Sequence, residues 1–388
     1  MPMTQRIAFL YLNTGGGHIA PARALARAID ERYGGTSQSF LVNGFSERMR
    51  ACRFFIENGY SITANFFEPG YVLFYQLTGT RLAVRFGNYF ISLNGVRHLA
   101  ESFKKHGITK VVCLHEVLIM PARAAIDRVN PAIPLITLVT DPFTAHPVWF
   151  HEKRMELVVF SEKLRREAIE RYGYDPARVH AFPFILSRAY ERPYAPEEVA
   201  AARARRGIGP DEKVILIAGG GEGLKSADRI VAEFLRRRRT ETLVVVCGRN
   251  RILRRLISLL VERAGARNVR VLGFVDYMSD LINMADCVIT KGGASTVMEI
   301  LALGKPIVFS TYIRGQELGN MLFAVTNGAG WYLKRPREIV ERAVLVANDP
   351  EVSRAARDAV ARLGIRNGLD EVARFAHDFG LPADERLP

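Results

Sequence analysis

The residues able to do chemistry in this 388-residue chain stand behind glycines. In TGGGHIAPARALARAI, Gly16, Gly17 and His18 follow directly on the apolar run IAFLYL. Glycines at a strand tip let the backbone come close to a ligand, and the helix they open offers unpaired N–H groups and the positive end of its dipole. An anionic or electron-rich ligand there meets one proton-transfer group, His18. A helix N-terminus disfavours the imidazolium, so the ring is expected to stay neutral and basic.

Two more glycine clusters follow. GGGEGLKS carries Gly220 and Gly221 at a second strand end, a geometry suited to a phosphate at a helix start. KGGASTVMEI carries Gly292, Gly293, Ser295 and Thr296 before a helix, enough backbone N–H and hydroxyl groups to hold a diphosphate without a metal. Glu299, a turn further on, can accept two hydrogen bonds from a ribose diol. In YIRGQELGN, the amide of Gln316 and the carboxylate of Glu317 stand where they could read sugar hydroxyls. Two other uses of the glycines are disfavoured. GGGHIA fits a dinucleotide fingerprint, but the second strand ends in Asn43 where an acid is required. A nucleotide-hydrolysing P-loop needs glycine where Leu224 precedes Lys225-Ser226.

The elements that must position these residues are legible as apolar runs. In the first half they are Ile7–Leu12, Ser39–Asn43, Lys110–Leu114, Leu135–Val139, Leu157–Phe160 and Arg178–Phe182. In the second they are Val214–Ala218, Leu243–Cys247, Val269–Leu272, Cys287–Thr290, Ile307–Ser310 and Gly330–Leu333. Nearly continuous apolar strands alternating with amphipathic helices imply parallel sheets covered on both faces. The reading is α/β, two Rossmann-like doubly wound domains with the site expected in the cleft between them. The proline-bearing stretch from Pro183 to Asp211 separates them. The expected division is 1–190, 191–365, and a helix and tail over 366–388 returning to the first domain.

The composition is that of a folded globular protein, with 48% hydrophobic and 24% charged residues, and the formal charge of +14 points to anionic partners. The cysteines, Cys52, Cys113, Cys247 and Cys287, form no C-x-x-C pair and read as buried reduced thiols. No metal-ligand spacing, signal peptide or membrane-spanning run is seen. The aromatic stretch Phe54–Leu93, with Arg81, Arg85 and Arg97 alongside, breaks the strand rhythm. It reads as packed helices or as an apolar, basic-rimmed surface for a membrane or lipid. The run Arg236–Arg239 reads as a solvated helix face.

The order of GGGH, VTDPFTAHPVWFH, GGGEG and GFVDYMSDLINMADCVITKGGASTVMEILALGKPIVFSTYIRGQELGN resembles monogalactosyldiacylglycerol synthases and processive diacylglycerol glucosyltransferases. More distantly it resembles MurG, all within glycosyltransferase family 28, and the likeness runs from about Ile7 to Lys334. The resemblance implies a GT-B fold, with the acceptor bound mostly by the first domain and the UDP-sugar by the second. It implies a metal-free, inverting transfer of a hexose, galactose before glucose, to the 3-hydroxyl of 1,2-diacylglycerol, giving a β-linked glycolipid. UDP-hexose is then a co-substrate, no cofactor is expected, and nucleic acid is not a partner. The place implied is the cytoplasm, peripherally on the inner face of the cell membrane at an anionic surface.

Residue by residue, Gly16, Gly17 and His18 match the GGGH loop, with His18 the expected base and Asp141 the rival base or orienting group. Glu299 matches the ribose-binding acid, Gln316 and Glu317 the hexose-holding pair, and Asn320 closes that donor stretch. Asp141, His146, Pro147 and Trp149 match a segment near the acceptor and anionic-lipid surface. Lys291-Gly292-Gly293-Ala294-Ser295 replaces the more usual alanine- or proline-containing loop. Transfer to a polyprenyl-linked acceptor, a UDP-sugar epimerase of the same fold and a non-catalytic basic lipid- or nucleic-acid-binding protein are the alternatives.

Overall fold

The computed structural model describes residues 5–13, 16–46 and 95–382. The Phe54–Leu93 surface, with Arg81 and Arg85, and Cys52 lie outside the described residues. The chain divides into two compact units. The first comprises residues up to Ser187 with Arg314–Gln316 and Asn367–Pro388, the second Arg188–Ile313 with Glu317–Arg366.

The first unit holds six parallel strands: β1 (Gln5–Tyr11), β2 (Ser37–Asn43), β3 (Lys110–Cys113), β4 (Leu135–Leu138), β5 (Glu156–Val159) and β6 (Val179–Ala181). Each coincides with an apolar run of the sequence. Their order is β2-β1-β3-β4-β5-β6, so the direction of winding reverses between β1 and β3. That reversal leaves a crevice at the carboxyl ends of two neighbouring strands, the usual ligand position in such sheets. Helix α1 (Gly16–Tyr33) leaves β1 at this point. It buries Ala22, Leu25, Ala26, Ile29 and Tyr33, the i, i+3, i+4, i+7 spacing that presents one apolar stripe to the sheet. Helix α2 over residues 95–106, α3 (Ile119–Val129) and the short α4 (Glu162–Arg166) complete the layers.

The second unit repeats the design with β7 (Val214–Ala218), β8 (Thr242–Val246), β9 (Val269–Leu272), β10 (Cys287–Lys291), β11 (Ile307–Thr311) and β12 (Gly330–Tyr332). The order β12-β11-β10-β7-β8-β9 puts its reversal between β7 and β10. Val214, Leu216 and Ala218 enter one core cluster while Ile215 and Ile217 enter the other. Helices cover both faces, so both sets of alternating side chains must be apolar, which is why the strand shows no polar alternation. The helices are α5 (Pro196–Arg205), α6 (Ala227–Arg236), α7 (Arg251–Ala264), α8 (Met278–Met284), α9 (Ala294–Ala302), α10 (Leu318–Thr326), α11 (Pro336–Asn348) and α12 (Pro350–Arg362).

α13 (Leu369–Asp378) packs on the first unit. Its His377 ring stacks on Tyr33 at a centroid distance of 3.8 Å. The buried Lys110 ammonium donates to Gln5 Oε1 at 2.8 Å, to the Ala376 carbonyl at 2.9 Å and to the His377 carbonyl at 2.5 Å. A cation at a helix C-terminus meets the negative end of the dipole and supplies donors to carbonyls that lack them. Burial nevertheless pushes the Lys110 amine down to about 7, against the opposing field of Asp378.

Cys113, Cys247 and Cys287 are free and buried. In the Arg236–Arg239 run, Arg236 and Arg237 pair with Glu233 at 2.7 and 2.6 Å. Arg239 sits 3.7 Å from Glu241. Arg97 pairs with Glu101 at 2.8 Å on the exposed side of α2.

Candidate functional site

At the crevice of the first unit, α1 carries His18 as its third residue. The ring is buried, with Nδ1 2.8 Å from the Leu114 carbonyl oxygen and 3.0 Å from Thr140 Oγ1. A carbonyl only accepts, so Nδ1 carries the proton and Nε2 keeps its lone pair. Leu114 directly follows β3, the strand paired with β1, so the sheet register itself fixes the tautomer.

The next two residues after Leu114 complete a cluster. His115 and His18 have ring centroids 4.3 Å apart. A ring nitrogen of each and a carboxylate oxygen of Glu116 lie within 4.8 Å of one another. His115 Nδ1 accepts the Val117 N–H at 3.3 Å, capping a short turn. Burial pushes His115 down to about 4, with Glu116 acting upward and His18 downward. Burial acts to raise the Glu116 carboxyl, but the fields of His115, His18 and His146 with its own backbone N–H hold it below the usual range. Sequence reading passed over this pair, because LHEVLIM looks like the end of a strand. Its signal was position, a His-Glu dipeptide at the tip of the strand beside the GGGH strand.

Asp141, beside Thr140, is buried and accepts from Gln316 Nε2 at 3.2 Å. His146 and Pro147 make a turn: His146 Nδ1 accepts the Val148 N–H at 3.2 Å and Pro147 opens the 3-10 segment Pro147–Phe150. Trp149 has no exposed surface and belongs to the core of the unit. The ring packs in the core, and the VTDPFTAHPVWFH segment supplies a turn and a core residue at this point.

In the second unit the reversal between β7 and β10 brings two glycine clusters to neighbouring strand ends. α6 opens only at Ala227, so Gly220 and Gly221 form a turn of their own and not a helix start. In that turn Gly220 has φ +81° and Gly223 φ +72°. A Cβ on Gly223 would stand 2.7 Å from the Cys247 carbonyl oxygen, so no other residue fits. The second cluster does open a helix. Gly293 is the extended cap residue of α9 and supplies no side-chain cap, while Ser295 and Thr296 lie in the first turn.

Glu299, on the same helix, is partly exposed, with no side-chain hydrogen bond among the described residues. Burial pushes its carboxyl up to about 8. Such a group accepts from ligand hydroxyls without a protein donor in competition. Glu317 is different: Lys291 Nζ lies 2.5 Å from Oε1, and the Ile313 N–H donates to Oε2 at 2.9 Å. Asn320 Nδ2 donates to the Gly292 carbonyl at 2.8 Å. Both side chains thus brace the glycine loop, and a Cβ on Gly292 would meet the Glu317 carbonyl oxygen at 2.9 Å. Lys291 is the cation of this loop, a role that the sequence reading did not give it.

Residues 214–362, most of this unit, match the family described as "Glycosyltransferase family 28 C-terminal domain". Residues 18–183 match "Monogalactosyldiacylglycerol (MGDG) synthase". The chain is therefore similar to the family 28 glycosyltransferases over most of its length. Among curated relatives of this glycosyltransferase, the chloroplastic monogalactosyldiacylglycerol synthase of Spinacia oleracea is 27% identical over 95% of the chain and 73% of the relative. The processive diacylglycerol beta-glucosyltransferase of Bacillus licheniformis (strain ATCC 14580) is 25% identical over 96% of the chain and 94% of the relative. Among solved structures, Acinetobacter baumannii MurG superposes with a TM-score of 0.65 at 16% identity, covering 97% of the chain and 100% of MurG. The fold class is accordingly GT-B, two doubly wound α/β units.

Proposed function

We propose that this glycosyltransferase moves a hexose from a UDP-hexose to the 3-hydroxyl of 1,2-diacylglycerol with inversion, forming a β-glycosyl diacylglycerol. One observation carries the reading. The unit that matches monogalactosyldiacylglycerol synthase holds His18 with Nδ1 committed to the Leu114 carbonyl, which leaves Nε2 for a substrate proton. His18 takes the proton of the acceptor hydroxyl as its oxygen attacks the anomeric carbon. The carbon–oxygen bond to the diphosphate breaks, and its electron pair leaves with UDP.

The leaving charge falls to the uncapped N–H groups at the start of α9, to Ser295 and Thr296, and to Lys291. Glu299 takes the ribose diol. Gln316, Glu317 and Asn320 shape the sugar side, and Gly220 and Gly221 leave room for the nucleotide backbone. Asp141 orients the acceptor side. In this reading no metal takes part, so turnover persists after exhaustive treatment with a chelator. Galactose stands ahead of glucose because the plant relative is named for it. The place of action is the inner face of the cell membrane, reached from the cytoplasm and bound peripherally. Two facts agree with it: the charge of +14, and the lack among the described residues of any helix long and apolar enough to cross a membrane.

The test is mass spectrometry of lipids after incubating the purified chain with vesicles of phosphatidylglycerol and dioleoylglycerol and either UDP-galactose or UDP-glucose. A mass gain of one hexose on diacylglycerol is the expected result, and the productive donor names the sugar. UDP release without a lipid product overturns the acceptor and points to a polyprenyl-linked one. A rearranged free sugar points to an epimerase. His18→Ala is expected to cost at least about 10²-fold in turnover, the scale of a general base; near-normal turnover removes the base assignment.

A further inference from the structure

Glu116 has no part in the mechanism above, yet its surroundings are those of a group with work to do. Its Oε2 atom is buried and has no hydrogen-bond partner among the described residues. The same oxygen stands 3.4 Å from His115 Nδ1. In the resting protein that nitrogen accepts the Val117 N–H, so two lone-pair atoms face each other across this distance. A buried carboxylate oxygen without a donor is costly, and such groups call for an explanation. Positive charge arriving on His18 gives the carboxylate a counter-charge, since a ring nitrogen and a carboxylate oxygen lie within 4.8 Å of each other.

Resting on the reading of His18 as the base, we infer that Glu116 is the counter-ion of that base. Its carboxylate faces the positive charge that His18 carries once it has taken the proton of the acceptor hydroxyl. The balance is simple: the proton passes from oxygen to His18 Nε2, the oxygen bonds to the anomeric carbon, and Glu116 stays ionised throughout. Without it, the new charge would sit among neutral groups with no counter-charge facing it. The other titratable groups facing Glu116 are His146, on the Pro147–Phe150 turn packed against it, and Cys113 at the end of β3. Asp141 is the acid on the neighbouring loop after β4. Glu116 acts through His18 and is a positioning residue, not a catalytic one.

The test is the pH–rate profile of Glu116→Gln and Glu116→Asp with vesicular dioleoylglycerol and whichever UDP-hexose proves productive. Removing the charge destabilises protonated His18. In Glu116→Gln the acid limb of the turnover profile therefore moves to lower pH by about one unit, the effect of one opposite charge at this range. The plateau turnover falls roughly 10-fold while the donor KM stays put, because the weakened base matters only to chemistry. Glu116→Asp keeps the charge and holds the acid limb in place. Ring-proton NMR titration of the histidines in Glu116→Asp and Glu116→Gln, read without substrate, gives the same shift independently of catalysis. An acid limb that does not move in Glu116→Gln, whatever the rate, overturns the counter-ion role. If His18→Ala retains turnover, the base reading fails with it; if His18→Ala is dead and the limb is unmoved, only the counter-ion role fails.

Discussion

At the scale of single residues the two units use opposite electrostatic devices. In the first, the fields of neighbouring histidines hold the partly exposed Glu116 carboxyl below its usual range. In the second, Glu299 has no such company and its carboxyl is pushed up to about 8. The ionised form accepts ribose hydroxyl protons better, so raising the pH from 6 toward 9 should lower the donor KM. Glu299→Gln should abolish that dependence and raise the donor KM roughly 10-fold at pH 9, the scale of one charged hydrogen bond. Initial rates at varied UDP-hexose across this range check it, and a dependence that survives in the Gln variant excludes Glu299 as its source. Residues such as Glu299 and Ser295 were legible in the sequence because a glycine-rich strand end announces them. His115 and Glu116 were not, since nothing local marks them and only the pairing of β1 with β3 brings them to His18.

At the scale of elements, both candidate crevices arise where the winding of a parallel sheet reverses. All twelve strands among the described residues stand where the sequence carries apolar runs, and the reason is burial on both faces, which writes itself into composition directly. The turn before α6 was misread as a helix start, because a glycine run followed by a helix looks alike whether the glycines cap the helix or precede it by a loop. The docking of α13 gives a separate expectation. Lys110 loses protons in the folded chain at lower pH than in the unfolded one, so between pH 7 and about 10.5 the unfolded chain binds more protons and stability rises with pH. Lys110→Met should remove this slope from the melting temperature and, by stranding two helix carbonyls, speed amide exchange in residues 369–378. The cost is on the order of 1–3 kcal/mol. Unchanged exchange there would show that α13 is held by its apolar face alone.

At the scale of the whole molecule, the charge of +14 acts beyond any single contact. Attraction to an anionic bilayer extends over a Debye length, about 10 Å at 0.1 M salt and about 3 Å at 1 M. Co-sedimentation with phosphatidylglycerol vesicles should accordingly fall steeply as salt rises from about 0.05 to about 0.5 M, and neutral phosphatidylcholine vesicles should capture far less at any salt. Salt-independent capture would mean that apolar insertion dominates.

The return of α13 to the first unit also sets the order in which a nascent chain matures. The face of Tyr33 and Lys110 waits uncovered until residues 369–378 have been made, and by then every strand of the second unit has been made as well. At about 5–20 residues per second that interval is on the order of 15–50 s, during which the surface stays open to misassociation. A stop codon near residue 366 would leave the second unit whole and injure the first, so loss of a late-made segment would fall on the earlier-made unit.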